Sequence, residues 1–159
     1  VAPSRGLGDV YKRQVYNETL RDRMCAVSDK THYNEMNVLS MHALIGAYQP
    51  QGYEWVDELN QVLAGNIEYF CTYAEKHWKG VAFSRPQGTY MVFLDCTEWC
   101  REHGRDIQWL LDEGARVGVG YQDGRPFHGP CHIRVNLALP LSRVREACDR
   151  LDRYVFNAR

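Results

Sequence analysis

A run of apolar residues in the middle of the chain constrains the fold more than any other feature. These residues recur at steps of three and four, the period of an α-helix: Trp55, Leu59, Val62, Leu63, Ile67, Phe70 and Ala74. The run follows Pro50 and Gly52 and continues to about Trp78. A helix of about 25 residues is roughly 40 Å long, which exceeds the core of a small domain. We therefore expect this helix to connect two domains.

Shorter elements are predicted on both sides of the long helix. Helical periodicity indicates a polar helix over 16–29, a packed helix over 35–48, a helix over 107–113 and a closing helix. Asp106 is expected to cap the helix over 107–113, which Gly114 ends. Ser142 is expected to cap the closing helix. The residues of the closing helix that are expected to face the core are Val144, Ala147, Cys148, Leu151 and Tyr154. Short strands are predicted at 81–84, 89–95, 116–120 and 132–140. Helices followed by a small sheet with flanking helices indicate an α+β fold.

Composition excludes several classes of function. The chain has 159 residues, of which 45% are hydrophobic and 25% charged, with a net charge of −1. The chain lacks the block of like charges that would indicate a nucleic-acid partner. It also lacks an apolar run that is long enough for a membrane span or that fits a secretory signal. We therefore expect a cytoplasmic protein.

The first 14 residues, "VAPSRGLGDVYKRQ", show neither a helical nor a strand period. Without an initiator methionine, they resemble a translated sequencing-adapter or assembly scar, and the alternative is a disordered basic tail. Gly6 and Gly8 lie too close together, without a preceding strand, to form a phosphate-binding loop. We therefore expect residues 1–14 to be a non-native or disordered leader that is not part of the fold.

Six dispersed cysteines indicate free thiols in a reducing compartment. Cys96, Cys100 and His103 have a C-x₃-C-x₂-H spacing, and Cys131 and His132 follow, so a structural zinc module is an alternative hypothesis. A second closely spaced ligand pair is missing, and buried cysteines often serve as small apolar residues. We expect no metal site, and metal analysis of the purified protein tests this.

The stretch "HIRVNLALP" at 132–140 places Arg134 within a half-buried strand, on the same face as Asn136. A guanidinium beside an apolar sheet needs a partner, because an uncompensated buried charge costs about 3–5 kcal/mol. One interpretation is a salt bridge or an arginine at the sheet edge that extends to solvent. The other is a ligand carboxylate, which the planar arginine matches with two parallel hydrogen bonds.

The sequence from about Val15 onward resembles part of a known enzyme family. "GTYMVFLD" at 88–95, the glycine-rich loop "YQDGRPFHGP" before "HIRVNLALP", and "LSRVREACDRL" are similar to the C-terminal small domain of fold type I pyridoxal-phosphate enzymes, the class I/II aminotransferase superfamily. "EMNVLSMHALIGAY" and "GYEWVDELNQVLAGN" resemble its cystathionine β-lyase (MalY/PatB-type) branch. The resemblance covers less than half of a family member. It implies 15–52 as the end of a large cofactor-binding domain, 53–78 as the interdomain helix and 79–159 as the small domain.

The resemblance also implies roles for individual residues. Arg134, Asn136, Ala138 and Pro140 match the family's R-x-N-x-A-x-P strand, in which the arginine binds the substrate's α-carboxylate. The family's Schiff-base lysine lies in a segment upstream of this chain, and Lys30 in "SDKTHYN" is interpreted as an exposed loop lysine. We therefore expect the chain to be a C-terminal fragment, inactive by itself, of an enzyme that uses pyridoxal 5'-phosphate.

The expected activity of the parent is β-elimination from sulfur amino acids such as cystathionine, which gives thiol, pyruvate and ammonia. Transamination is the alternative, and a non-catalytic carboxylate-binding or zinc-stabilised interaction domain is a third hypothesis. The upstream coding sequence distinguishes them, since a cofactor-binding lysine there supports the enzyme. Candidate pocket contacts are Tyr121, Phe127 and His128, for each of which loop packing is the alternative. In a parent homodimer, His32 and Tyr33 are candidates near the neighbouring subunit's site.

Overall fold

The computed structural model of the protein describes residues 15–32 and 37–157. The chain divides into an N-terminal unit, Val1–Asp57, and a C-terminal unit, Glu58–Arg159. The helices are α1 (Glu18–Thr31), α2 (Val38–Ala47), α3 (Pro50–His77), α4 (Thr97–His103), α5 (Ile107–Arg116) and α6 (Leu141–Leu151). The strands are β1 (Met91–Asp95), β2 (Gln122–Asp123) and β3 (His132–Asn136). The α+β prediction is confirmed, whereas the predicted leader at 1–14 lies outside the described residues.

Helices α1 and α2 of the N-terminal unit begin at asparagine caps. The side-chain oxygen of Asn17 accepts a hydrogen bond from the Leu20 N–H at 2.9 Å, and that of Asn37 accepts one from the Ser40 N–H at 2.8 Å. Neither helix contains a buried residue. The apolar side chains of α2 are therefore largely exposed, with Leu39 76% accessible to solvent.

Helix α3 is the predicted long helix and contains 28 residues. It begins at Pro50, earlier than predicted, because proline lacks an N–H and suits the first helical turn. The second half of the helix contains its buried residues, Asn66, Phe70, Cys71 and Ala74. Of the described helices, none combines the length and apolar character needed to cross a membrane.

Strand β3 is the central strand of a three-stranded antiparallel sheet with the order β1–β3–β2. Alternate side chains of β1 and β3 enter the core of the C-terminal unit: Val92, Leu94, Ile133 and Val135 are all buried. The same core contains apolar residues of α3, α5, α6 and the C-terminal turn, including Phe70, Leu110, Val144, Cys148, Leu151 and Phe156. The other face of the sheet is less buried and carries Arg134.

Two predicted strands are wrong, and the other two, β1 and β3, are shorter than predicted. In 81–84 only Ala82 makes a bridge, to Asp95. Residues 116–120 are the end of α5 and a turn at Gly118, whose φ of +76° favours glycine. Strand β3 ends at Asn136, whose side-chain oxygen accepts a hydrogen bond from the Ala138 N–H at 2.8 Å and turns the chain.

The predicted helix caps are correct in one of three cases. Asp106 caps α5 by accepting a hydrogen bond from the Trp109 N–H at 2.8 Å. Gly114 does not end α5, because it lies inside the helix where a Cβ would overlap the Tyr121 ring. Ser142 does not cap α6, which begins at Leu141 after Pro140. At the end of the chain, a π-helical turn over Asp152–Phe156 shifts the buried face, so Val155 and Phe156 are buried and Tyr154 is exposed.

Asn66 connects α3 to the segment that follows β3. Within the described core, Asn66 is a polar residue that is buried, with a solvent accessibility of 1%. Its side-chain nitrogen donates hydrogen bonds to the carbonyl oxygens of Leu137 at 2.9 Å and Leu139 at 2.7 Å. The Leu137 carbonyl also accepts a hydrogen bond from the Leu139 N–H at 2.9 Å, so Asn66 is its second donor. Through the two bonds Asn66 holds the segment after β3 against the helix.

Replacing Asn66 with alanine should destabilise the C-terminal unit by about 1–3 kcal/mol, because it removes the two hydrogen bonds that tie α3 to the segment after β3. Urea unfolding followed by tryptophan fluorescence measures the effect. Asn60→Ala is the control, since Asn60 is exposed on the same helix and gains the same helix propensity. Equal free energies of unfolding for the two variants would show that the Asn66 hydrogen bonds add no stability.

Amide hydrogen exchange should separate the two units. Helices α1 and α2 contain no buried residue, and a helix of this length owes most of its stability to packing. We expect their amides to exchange within seconds, while those of β1, β3 and α6 remain protected for hours. Comparable protection across residues 18–31, 38–47 and 132–136 would contradict this expectation.

Candidate functional site

Arg134 lies at the centre of the half-buried face of the sheet, opposite the face that packs on the core. The register places it directly opposite Phe93 of β1 on one side and Gln122 of β2 on the other. Its strand neighbours Ile133 and Val135 are buried, so the alternation predicted for this strand is confirmed. The pairing on both sides of β3 fixes the arginine's backbone in the middle of the sheet.

The guanidinium of Arg134 has two protein partners. Its Nε donates a hydrogen bond to the side-chain oxygen of Gln122 at 2.7 Å, and its Nη2 donates to the same oxygen. The guanidinium carbon lies 3.9 Å from the centre of the Phe127 ring, a cation–π contact. Within residues 15–32 and 37–157, no ion pair involves Arg134.

The loop between β2 and β3 brings Phe127 against the arginine. The Gly124 N–H donates a hydrogen bond to the His132 carbonyl at 2.8 Å, and the Phe127 and Gly129 N–H groups both donate to the Gly124 carbonyl. A Cβ at Gly124 or Gly129 would overlap His132. Glycine is needed at both positions because the loop passes so close to the start of β3.

A second cluster adjoins the arginine on the same face. The rings of Phe93 and His132 are stacked with centroids 4.7 Å apart, and the Nε2 of His132 lies 3.8 Å from a carboxylate oxygen of Asp95. Partial burial raises the pKa of Asp95, but hydrogen bonds from Thr97 and the nearby His132 together hold that pKa below its usual value. Asp95 is therefore a carboxylate at neutral pH.

The other predicted contacts fall in different places. The Tyr121 hydroxyl donates a hydrogen bond to the Leu110 carbonyl of α5, and burial raises the pKa of this hydroxyl. Loop packing therefore accounts for Tyr121. His128 is exposed and follows Phe127 in a left-handed conformation with φ of 61°. His32 ends α1 in the N-terminal unit, and Tyr33 lies outside the described residues.

Sequence reasoning missed Gln122, the residue that contacts Arg134 most closely. The predicted strand at 116–120 ended before it, so its register opposite Arg134 was not visible. The available clue was the turn signal "YQDG". Two strands that are joined by a glycine-containing turn usually pair with each other as a hairpin. Phe127 was among the predicted contacts, and the structure places it on the guanidinium.

The described residues do not form a pyridoxal-phosphate site by themselves. Such a site needs a lysine that forms the Schiff base with the cofactor, close to the residue that binds the substrate. The described lysines are all exposed on helices or at a helix end: Lys30, Lys76 and Lys79. The described residues supply a guanidinium, Arg134, and place no lysine amine beside it. No catalytic step through the cofactor is assigned to these residues.

The cysteines of the zinc hypothesis lie close to one another. The Cys96 N–H donates a hydrogen bond to the Cys131 carbonyl at 2.9 Å, and the Cys131 side chain is near enough to Cys100 to contribute to the raised pKa of that thiol. In the part of the chain that the structure describes, no group of three His, Cys, Asp or Glu side chains is arranged to hold a metal ion. Burial raises the pKa of Cys100 and of Cys148 to about 12, so both are thiols at neutral pH.

Comparison with solved structures defines the fold. Cystalysin from Treponema denticola, which contains pyridoxal 5'-phosphate, matches with a TM-score of 0.72 at 23% identity, over 87% of this chain and 34% of that one. Aspartate aminotransferase from Thermus thermophilus with maleate matches with a TM-score of 0.71 at 18% identity, over 86% and 35%. The described chain has the fold of the C-terminal region of fold type I pyridoxal-phosphate enzymes, as the resemblance predicted.

Comparison of sequences points to a narrower group. A Mycobacterium leprae protein whose name assigns it to the cystathionine β-lyases is 33% identical over 124 residues, which cover 68% of this chain and 30% of the relative. No family model matches the chain. The chain is therefore similar in sequence to cystathionine β-lyases, and it spans about a third of the length of the relatives it matches.

Thiol reactivity tests the metal-free assignment. Cys25 is exposed, Cys131 is half-buried, and Cys71, Cys96, Cys100 and Cys148 are buried. Since the thiolate is the reactive form, we expect Ellman's reagent to modify Cys25 first and the buried thiols only after unfolding. Cys25→Ser should remove the fast phase, and metal analysis should find no stoichiometric zinc. One zinc per chain, with buried thiols that react once a chelator is added, would establish the zinc module instead.

Proposed function

We propose that this chain is the C-terminal part of a pyridoxal-phosphate-dependent carbon–sulfur β-lyase, and that Arg134 binds the α-carboxylate of its amino-acid substrate. The observation that carries the proposal is the guanidinium's setting. It lies on the open face of the sheet with a neutral amide and an aromatic ring as its partners. Its positive charge is left uncompensated within the described residues. A planar cation of this kind is a fitting partner for a carboxylate.

Within this proposal, the residues of the chain hold and orient the substrate. Arg134 fixes the carboxylate, Phe127 keeps the guanidinium plane in place, and Asn66 holds the end of the arginine strand against α3. Fixing one end of a small amino acid restricts rotation about its Cα, which is how positioning contributes to rate. Pyridoxal phosphate, bound by the rest of the parent, supplies an electron sink for the amino acid.

The domain organisation of the parent is part of the same proposal. Residues 15–52 end its large domain, 53–78 form the interdomain helix and 79–159 form the small domain. The exposed apolar residues of α1 and α2, such as Leu20 and Leu39, support it, because a large apolar surface indicates a missing partner. We place the parent in the cytoplasm as a homodimer, in which His32 and Tyr33 approach the neighbouring subunit's site.

Transamination is the second candidate activity, since an aspartate aminotransferase shares the fold. Product analysis of the parent separates the two. Pyruvate, ammonia and thiol from a sulfur amino acid without any keto-acid acceptor support the lyase. Turnover that requires a keto-acid acceptor supports the aminotransferase.

Substitution of Arg134 in the parent tests the carboxylate role. Arg134→Ala removes both charge and donors, and truncating one partner of a desolvated charge pair costs about 2–5 kcal/mol. We expect kcat/KM for amino acids to fall by about thirty- to several-thousand-fold, with Arg134→Lys intermediate because it keeps the charge but not the planar group. Cofactor absorbance and Tm should change little.

The matched control is Arg101→Ala, which removes an exposed arginine that pairs only with Glu98 in the structure. It should leave kcat/KM unchanged. The decarboxylated amine of the same substrate is the second control, since it lacks the group that Arg134 binds. If Arg134→Ala lowers the rates for amine and amino acid equally, or releases the cofactor, the carboxylate role is wrong.

A further inference from the structure

The two edges of the Arg134 guanidinium are not equally available. The Nε and Nη2 groups both donate to the side-chain oxygen of Gln122. One face of the guanidinium is covered by the Phe127 ring, whose centre lies 3.9 Å away. The Nη1 group has no hydrogen-bond partner among the described residues. The arginine therefore presents its Nη1 end to a ligand.

The backbone of Gln122 is held in place independently of the Arg134 side chain. It pairs directly with Arg134 across β2 and β3, and the next residue, Asp123, is anchored by the Arg125 backbone N–H at 2.9 Å and the Arg125 Nε at 2.7 Å. The Gly124 N–H then bonds the His132 carbonyl. The amide of Gln122 is thus projected from an ordered turn towards the Nε edge.

The chemical nature of this partner matters because an amide is neutral. A carboxylate at position 122 would form an ion pair along the same edge and cancel the charge that a substrate carboxylate needs. An amide oxygen accepts the same two hydrogen bonds and leaves the net positive charge on the arginine. The side chain orients the guanidinium without neutralising it.

We propose that Gln122 is a positioning residue for substrate binding, which occupies the Nε edge of Arg134 and directs the substrate carboxylate to the Nη1–Nη2 end. The inference rests on the proposed function of Arg134. It adds a specificity determinant on β2, since the end at which the carboxylate binds sets the direction in which the rest of the amino acid extends.

Two variants of the parent enzyme test the role of Gln122 by different means. Gln122→Glu adds a competing carboxylate, so KM for amino acids should rise about tenfold to a hundredfold, the range that hydrogen bonds to charged groups contribute, with a smaller change in kcat. Gln122→Met keeps the side-chain length without the amide oxygen and should raise KM by about tenfold or less. Neither should affect the decarboxylated amine.

Gln61→Glu is the matched control for the added charge, since Gln61 is exposed on α3. This variant should leave KM for amino acids unchanged. Gln122→Asn, one methylene shorter, should fall between wild type and Gln122→Met if the hydrogen bond is what matters.

A measurement on the 159-residue chain tests the contact without any turnover. In ¹⁵N-edited NMR spectra, the Nε–H signal that disappears in Arg134→Lys belongs to Arg134. We expect this signal to persist at neutral pH in the wild type, because its hydrogen bond slows exchange with water, and to shift or broaden in Gln122→Met. An unchanged signal in Gln122→Met would overturn the proposed positioning.

The kinetic outcomes separate the two proposals. If Arg134→Ala impairs amino-acid turnover while Gln122→Glu leaves KM unchanged, Arg134 binds the carboxylate and the role of Gln122 is wrong. If neither substitution discriminates amino acid from amine, the proposed function of Arg134 fails as well. Equal losses for amino acid and amine in Gln122→Glu would show a general structural effect and would also overturn the positioning role.

Discussion

Hydrogen bonding of β3 on both of its edges is the constraint from which the site follows. A strand paired on two sides has no freedom of register, and a shift by one residue would exchange its faces and expose Ile133 and Val135. The burial of these two residues against α3, α5 and α6 therefore forces Arg134 to the opposite face. Asn66 fixes the end of the same segment through hydrogen bonds to two backbone carbonyls. The position of the guanidinium is a consequence of core packing.

The partners of the guanidinium then decide what it can bind. An arginine with an acidic partner is already neutralised, whereas Arg134 has an amide and an aromatic ring. A carboxylate on this face, Asp95, is engaged by Thr97 and lies beside His132. The arrangement keeps a cation available on an open surface. This is the property that a carboxylate-binding residue requires.

The elements that could be predicted are those whose signals are local. The period of three and four residues in α3, the Asp106 cap and the alternation around Arg134 each depend on neighbours in sequence, and each is confirmed. Ser142 was misassigned because α6 already begins at Leu141, after Pro140, and Tyr154 because a π-helical turn shifts the buried face. Gly114 was misassigned because long-range packing decides its role, since it stays in α5 to accommodate Tyr121. Gln122 was missed for the same reason, since its contact with Arg134 spans 12 residues and depends on strand register. The resemblance pointed to the arginine but carried no information about its partner.

A crystal structure of the parent enzyme with a bound amino-acid substrate analogue tests the central claim most directly. The account predicts both carboxylate oxygens of the analogue within about 3 Å of Arg134 nitrogens, at hydrogen-bonding distance, with Gln122 still on the Nε edge. An analogue whose carboxylate binds a different cation, while Arg134 contacts only Gln122 and Phe127, would contradict it.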